Sequence, residues 1–194
     1  YMFVASQRRL GPRNSETSNL ILDATEQVLR QEGYGAVSSR RVAEAAGIRQ
    51  GLVYYYFETM DELLLATFKR RTAQGLARYE AEALSDRPVQ AIWQDLSERV
   101  DGRLSFEFVA LANHHEGIRE EVNRFLVAAR KLQAQAIARD AAARGVDLAP
   151  ATPAALAFIM YSANLILARE AATGVTEGHD EVRALFATML EKFA

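Results

Sequence analysis

Residues able to make or break bonds are scarce in this chain. There is no cysteine, which removes disulfides, thiolate nucleophiles and zinc-finger spacing. The three histidines are His114, His115 and His179. His114, His115 and Glu116 are adjacent, so their side chains diverge on a helix and hold a metal poorly, and His179 is expected in a turn. No Gly-rich phosphate loop, nucleophile elbow or catalytic triad is visible. The expectation is a protein with no catalytic residue, no metal and no cofactor.

Hydrogen-bonding groups, by contrast, are concentrated. The stretch GIRQGLVYYYF, from Gly47 to Phe57, holds Arg49, Gln50 and three adjacent tyrosines. Three large rings cannot all enter one small core. On a helix advancing about 100° per residue, with Val53 set toward the core, Phe57 and Tyr56 lie near the core side. Tyr54 then falls on the flank, while Gly51 and Tyr55 point outward. Ser38, Ser39, Arg40 and Arg41 stand just upstream.

Nearly every segment that must position these groups reads as helix. The residues 1–14, with Arg8, Arg9 and Arg13, are expected to form a flexible basic arm. A first helix is expected from about Ser18 to Glu32, with Ile21, Ala24, Val28 and Leu29 on one face and Gly33 and Gly35 at its end. Ser38 caps a short helix carrying Val42, Ala43 and Ala46; Gly47 breaks it, and a second short helix runs through about Tyr56. Thr59 and Glu62 form a capping box, Glu62 reaching back, at the start of a long helix to about Leu84. Further helices are expected from Pro88, over Leu104–His115 and Ile118–Arg144, from Pro153 to about Ala172, and over Asp180–Phe193. The fold class is therefore all-α with about nine helices. Two short helices joined at a Gly-containing turn behind a longer one form a helix-turn-helix pattern, which many all-helical proteins also contain.

Bulk properties set limits. Hydrophobic residues make up 49% and charged ones 25%, the balance of a soluble globular protein. The net charge of −2 hides an asymmetry: residues 1–57 carry +2 and residues 58–194 carry −4, so the first third is the better partner for an anion. The first stretch is not read as a signal peptide. The apolar segment Ala154 to Ala168 is shorter than the ~20 residues of a membrane span and includes Tyr161, Ser162 and Asn164, so a buried helix is expected and no membrane partner.

The run from Ile21 to Leu64 closely resembles the DNA-binding domain of tetracycline-repressor (TetR) family regulators. The likeness lies in Ile21-Leu22-Asp23-Ala24, Gly33-Tyr34, Ser38-Ser39-Arg40, Val42-Ala43, Ala46-Gly47-Ile48 and Tyr54-x-x-Phe57. It implies a basic arm over 1–14, a three-helix DNA-binding domain with its helix-turn-helix over 15–58, and an effector-binding and dimerisation domain over 59–194. It implies a cytoplasmic homodimeric transcriptional regulator, usually a repressor, that binds a palindromic double-stranded DNA operator and is released by a small-molecule effector. The alternatives are an all-helical ligand-binding protein or an enzyme without operator binding.

Residue by residue, the resemblance places Gln50, Gly51, Leu52 and Tyr54 at base edges and Tyr55 and Tyr56 at the phosphate backbone. Tyr56 can equally be a packing residue. Arg40 falls where the family reaches guanine, a match for its two-pronged guanidinium. Ser38 and Ser39 can cap the helix and bond phosphate, although for Ser38 capping alone is an equal reading. Arg49 and Arg41 are either phosphate contacts or solvated charges. Met60 departs from the family, which commonly has a phosphate-binding Lys there.

For the remainder, the resemblance implies a pocket lined by large residues and an apolar or amphipathic effector. Candidates are Phe68, Tyr79, Trp93, Phe108, Leu111, His115, Tyr161 and Asn164, each also readable as core. His115 is expected to share a helix face with Phe108, Leu111 and Ala112. The helix from Pro153 is apolar nearly all round and needs cover on two sides. With the last helix it is expected to form a four-helix dimer interface through Leu156, Ile159, Met160, Ala163, Leu167, Leu185, Phe186 and Met189.

Overall fold

The computed structural model describes residues 15–193. The basic arm with Arg8, Arg9 and Arg13 lies outside them. Nine α-helices are found among the described residues: α1 (Glu16–Glu32), α2 (Ser39–Ala46), α3 (Gln50–Tyr56), α4 (Met60–Ala83), α5 (Pro88–Arg99), α6 (Gly102–Ala112), α7 (Glu116–Arg144), α8 (Pro153–Ala171) and α9 (His179–Glu191). No strand occurs among the described residues. The chain divides into two compact units between Arg70 and Arg71, inside α4.

In the first unit, α1 begins two residues earlier than its apolar pattern suggests, because the Ser15 hydroxyl accepts a hydrogen bond from the Ser18 amide at 3.1 Å. Gly33 ends α1 at φ 83°, a left-handed conformation that a side chain would resist. Ser38 caps α2, accepting from the Arg41 amide at 3.2 Å. At its other end Gly47, at φ 66°, returns its amide to Ala43 and Glu44, and Ile48 bonds Ala43 at 3.0 Å. Thr59 accepts from the Glu62 amide at 3.0 Å, whereas the Glu62 carboxylate reaches one residue past the cap, to the Glu58 amide at 2.9 Å. Ile21, Leu22, Ala24, Val42, Ala43, Val53, Phe57 and Leu63 close into one core. The first three helices are therefore locked to each other by apolar contacts, while capping fixes the turns between them.

In the second unit, the rest of α4 packs with α5, α7, α8 and α9 around Tyr79, Val89, Ile92, Leu96, Ile137, Met160, Phe186 and Phe193. The α6 helix starts at Gly102, capped by Asp101, whose carboxylate accepts from the Leu104 amide at 2.9 Å. Gly102 lies against the α8 backbone: a Cβ there would stand 2.3 Å from the Arg169 nitrogen. Buried charges are paired, with Asp95 held by Arg78 at 3.2 Å and Arg99 at 3.1 Å, and Asp140 by Arg144 at 2.7 Å.

Two expectations fail in this unit. His115 does not share the face of Phe108 and Leu111, because α6 stops at Ala112 and a tight turn follows, with the His114 and His115 amides both returning to the Leu111 carbonyl. His115 adopts an extended φ of −123° and precedes α7. His179 does not lie in a turn: it opens α9, is 2% exposed, and its Nε2 lies 2.9 Å from a Glu170 carboxylate oxygen. Met160, Leu167 and Phe186 of the expected dimer interface are buried within their own unit, at 1%, 8% and 5% exposure. The apolar side chains that α8 and α9 turn outward are Phe158, Ile159 and Ile166, each about half exposed, and Leu185 at 69%. Leu156, Ala163 and Met189 are half-buried at the margin. At 19 residues α8 is also longer than the apolar segment seen in the sequence, and by length and composition alone it could cross a membrane. It nevertheless packs Ala157, Met160, Asn164 and Leu167 into the second unit's interior.

Candidate nucleic-acid interface

The α3 helix is seven residues long, too short to stand alone in water, so its packing must hold it. Val53 and Phe57 are 1% and 2% exposed and seat it on α1 and α2. The opposite side carries Arg49, Gln50, Gly51, Leu52, Tyr54 and Tyr55, all exposed. Tyr56 is half-buried against the core. Its ring meets that of Tyr55 edge-on, with centroids 5.1 Å apart. The three tyrosines therefore point three ways, as helical geometry requires. A Cβ on Gly51 would meet nothing within 4 Å, so this part of the helix is bare backbone open to close approach.

A hydrogen-bonded chain links α3 to α2. The Gln50 amide Nε2 donates to Ser39 Oγ at 2.8 Å, and Ser39 Oγ donates to the Tyr54 hydroxyl at 3.0 Å. Ser39 is buried, so its hydroxyl is engaged inside the unit and does not stand at the surface as a phosphate ligand beside the exposed Ser38. The sequence carries no signal for this link: the three residues lie 11 and 15 positions apart, and only the packing of α2 on α3 brings them together.

The two arginines of α2 differ sharply. Arg40 is 81% exposed, with only a loose contact of 3.7 Å to Glu44. Arg41 forks onto the Glu32 carboxylate, with Nε to both oxygens at 3.0 and 3.1 Å and Nη2 at 2.6 Å. These hydrogen bonds, more than charge alone, hold the Glu32 carboxyl below its ordinary range and raise the Arg41 guanidinium above its own. Of the two, Arg40 is thus open to a new partner, and Arg41 is already paired with Glu32. Met60, at the start of α4, packs against the core of this unit.

Residues 21–67 match the family model described as "Bacterial regulatory proteins, tetR family". Over these residues the chain carries the TetR family's N-terminal segment. The match takes in most of α1, all of α2 and α3 and the first turns of α4. A transcriptional regulator, CymR of Pseudomonas putida, is 31% identical over 134 residues, 62% of this chain and 66% of the relative. The repressor KstR of Mycolicibacterium smegmatis is 35% identical over 83 residues, 42% of this chain and 41% of its own length. The chain thus spans less than two thirds of either relative. The fold of the regulator FadR from Bacillus subtilis, solved in complex with stearoyl-CoA, covers 90% of this chain and 96% of its own, with a TM-score of 0.61 at 16% identity. These relatives are regulators of transcription and not enzymes.

The candidate effector residues divide between the two units. Phe68 is buried in the first. In the second, Tyr79, Phe108, Leu111 and Asn164 are buried, Trp93 stacks on Phe186 with centroids 4.2 Å apart, and Tyr161 is half-buried. Tyr79, Trp93 and Tyr161 meet the same core, and burial raises both phenols above their ordinary value. Asn164 is already satisfied, donating to the Met160 carbonyl at 2.9 Å and accepting from Ser97 at 3.1 Å. Two surface grooves of about 550 and 640 Å³ run beside α7, and neither is lined by any of these candidates. Sequence reading passed over Gln133, 2% exposed, whose amide nitrogen has no hydrogen-bond partner among the described residues.

Proposed function

We propose that this chain is a cytoplasmic DNA-binding regulator of transcription, acting as a repressor. It binds a palindromic double-stranded operator as a homodimer and leaves it when a small apolar or amphipathic effector binds the helical domain over residues 59–194. The observation that carries the reading is the two-sidedness of α3: Val53 and Phe57 anchor one side while Gln50, Leu52, Tyr54 and Tyr55 stand exposed on the other. A short helix held rigidly by its apolar side and offering polar and aromatic groups outward is what major-groove reading needs.

The roles follow from the chemistry of each group. Gln50 pairs with adenine, Leu52 and Tyr54 touch thymine methyls, and Arg40 forks onto guanine. Arg49, Ser38, Tyr55 and the rim of Tyr56 grip phosphate, and Gly51 lets the backbone come close. In the second unit, Phe158, Ile159, Ile166 and Leu185 form an apolar face that a second copy would cover, with Leu156, Ala163 and Met189 at its edge. Tyr79, Trp93, Phe108, Leu111 and Tyr161 supply an interior suited to an apolar or amphipathic molecule.

Selection of bound sequences from a random duplex library tests this. A palindrome is expected, its half-sites one helical turn or a multiple apart and bound by two chains. No enriched sequence at modest salt would sink the reading.

A further inference from the structure

The structure assigns Ser39 a role beyond capping or phosphate contact: it is the positioning residue that sets which hydrogen-bonding groups α3 presents to a base pair. The inference rests on the operator reading above. Ser39 is 6% exposed at the start of α2, so it cannot reach DNA through an open surface. It does reach the two exposed groups best suited to base edges, Gln50 and Tyr54.

The direction of the chain decides its consequence. A serine hydroxyl has one hydrogen to give. Because Ser39 Oγ accepts from Gln50 Nε2 at 2.8 Å, its own hydrogen is available for the Tyr54 oxygen at 3.0 Å. Tyr54 then holds its own hydrogen for an outside acceptor. Gln50 keeps one N–H and its amide oxygen. That pair complements the N7 acceptor and N6 donor of adenine. An unheld glutamine amide turns over at little cost and offers the reverse order as readily. The Ser39 bond to the amide nitrogen selects one orientation. The chain of donors runs from Gln50 through Ser39 to Tyr54, each bond polarising the next.

The test compares Ser39→Ala with the unaltered protein, using library selection and then titration of the selected and a scrambled duplex. Both proteins are first checked for an unchanged thermal midpoint. The expected result is a loss of about five- to tenfold in the selected-to-scrambled affinity ratio, about one hydrogen bond's worth. The loss is confined to the base positions read by Gln50 and Tyr54. Affinity for scrambled DNA and its salt dependence stay as they were. In a Gln50→Ala, Tyr54→Phe background, Ser39→Ala changes the ratio by less than about twofold, because Ser39 acts only through those two.

An unchanged ratio, or equal weakening on both duplexes, overturns the inference while leaving the operator reading intact. An unaltered protein that selects no sequence removes both. Should Ser39→Ala fail to fold, Gln50→Ala and Tyr54→Phe, both at exposed positions, are combined instead. A joint loss smaller than the product of the single losses supports the link, and strict additivity overturns it.

Discussion

Replacing Gly102 by alanine probes how α6 is held. The added Cβ would stand 2.3 Å from the Arg169 nitrogen and 2.6 Å from the Ala168 carbonyl carbon and the Arg169 Cα. Ordinary contacts between such atoms are about 3.5 Å, so the overlap is roughly 1 Å. All three atoms are backbone of α8, so no side chain can swing away and one helix must shift against the other. Overpacking of this kind costs about 1–3 kcal/mol. The gain of alanine over glycine inside a helix, at most about 1 kcal/mol, is smaller still at a first-turn position. The expected net loss is about 1–3 kcal/mol, a fall of roughly 2–12 °C in midpoint for a protein of this size. Trp93, the chain's single tryptophan, stacks on Phe186 in the same unit, so its fluorescence during a thermal ramp reports the event. A midpoint unchanged or raised would refute the close approach of α6 to α8.

Other substitutions separate reading from gripping. Arg40→Ala should relax one base position of the selected site by about 1–3 kcal/mol, whereas Arg41→Ala, whose guanidinium is spent on Glu32, should leave the selected sequence unchanged; selection with each variant checks both. Met60→Lys should strengthen binding to every duplex and steepen the dependence on log salt by about one unit, measured by titration at several salt concentrations. Burial, then the neighbouring Asp95 charge, pushes the Glu82 carboxyl up to about 8. Because this value lies above the unfolded one, the stability it contributes is present below about pH 4.5 and is lost as pH rises toward 8. Glu82→Gln should therefore raise the thermal midpoint at pH 8 and have little effect near pH 4.5. Gln133→Met should raise stability by about 1 kcal/mol in denaturant titration, since it removes a buried amide donor without a partner.

Much of this molecule could be read from local signals. Ser38, Gly47 and Thr59 act within four residues of themselves, so capping preferences and left-handed glycine located α2, α3 and the start of α4. With Val53 set toward the core, helical periodicity placed Phe57 inside and Tyr55 outside, and it turned Tyr56 partly inward. Where signals were non-local, reading failed. The Ser39–Gln50–Tyr54 chain, the Arg41–Glu32 fork and the approach of Gly102 to α8 depend on how helices pack, and no spacing within one helix encodes them. On α8, apolar residues surround the helix, so periodicity could not tell which side faces its own unit; Met160 and Leu167 turned inward and Phe158 and Ile166 outward. His115 was misplaced because the turn after Ala112 carries neither glycine nor proline.

Base reading is proposed for the outward side of α3. Titration of the selected operator and a random duplex, at one salt concentration, with the unaltered protein and with the Gln50→Ala, Tyr54→Phe variant tests it most directly. The operator-to-random affinity ratio should fall by about 10- to 100-fold in the variant, with random-duplex affinity and thermal midpoint nearly unchanged. A ratio equal to that of the unaltered protein would contradict it.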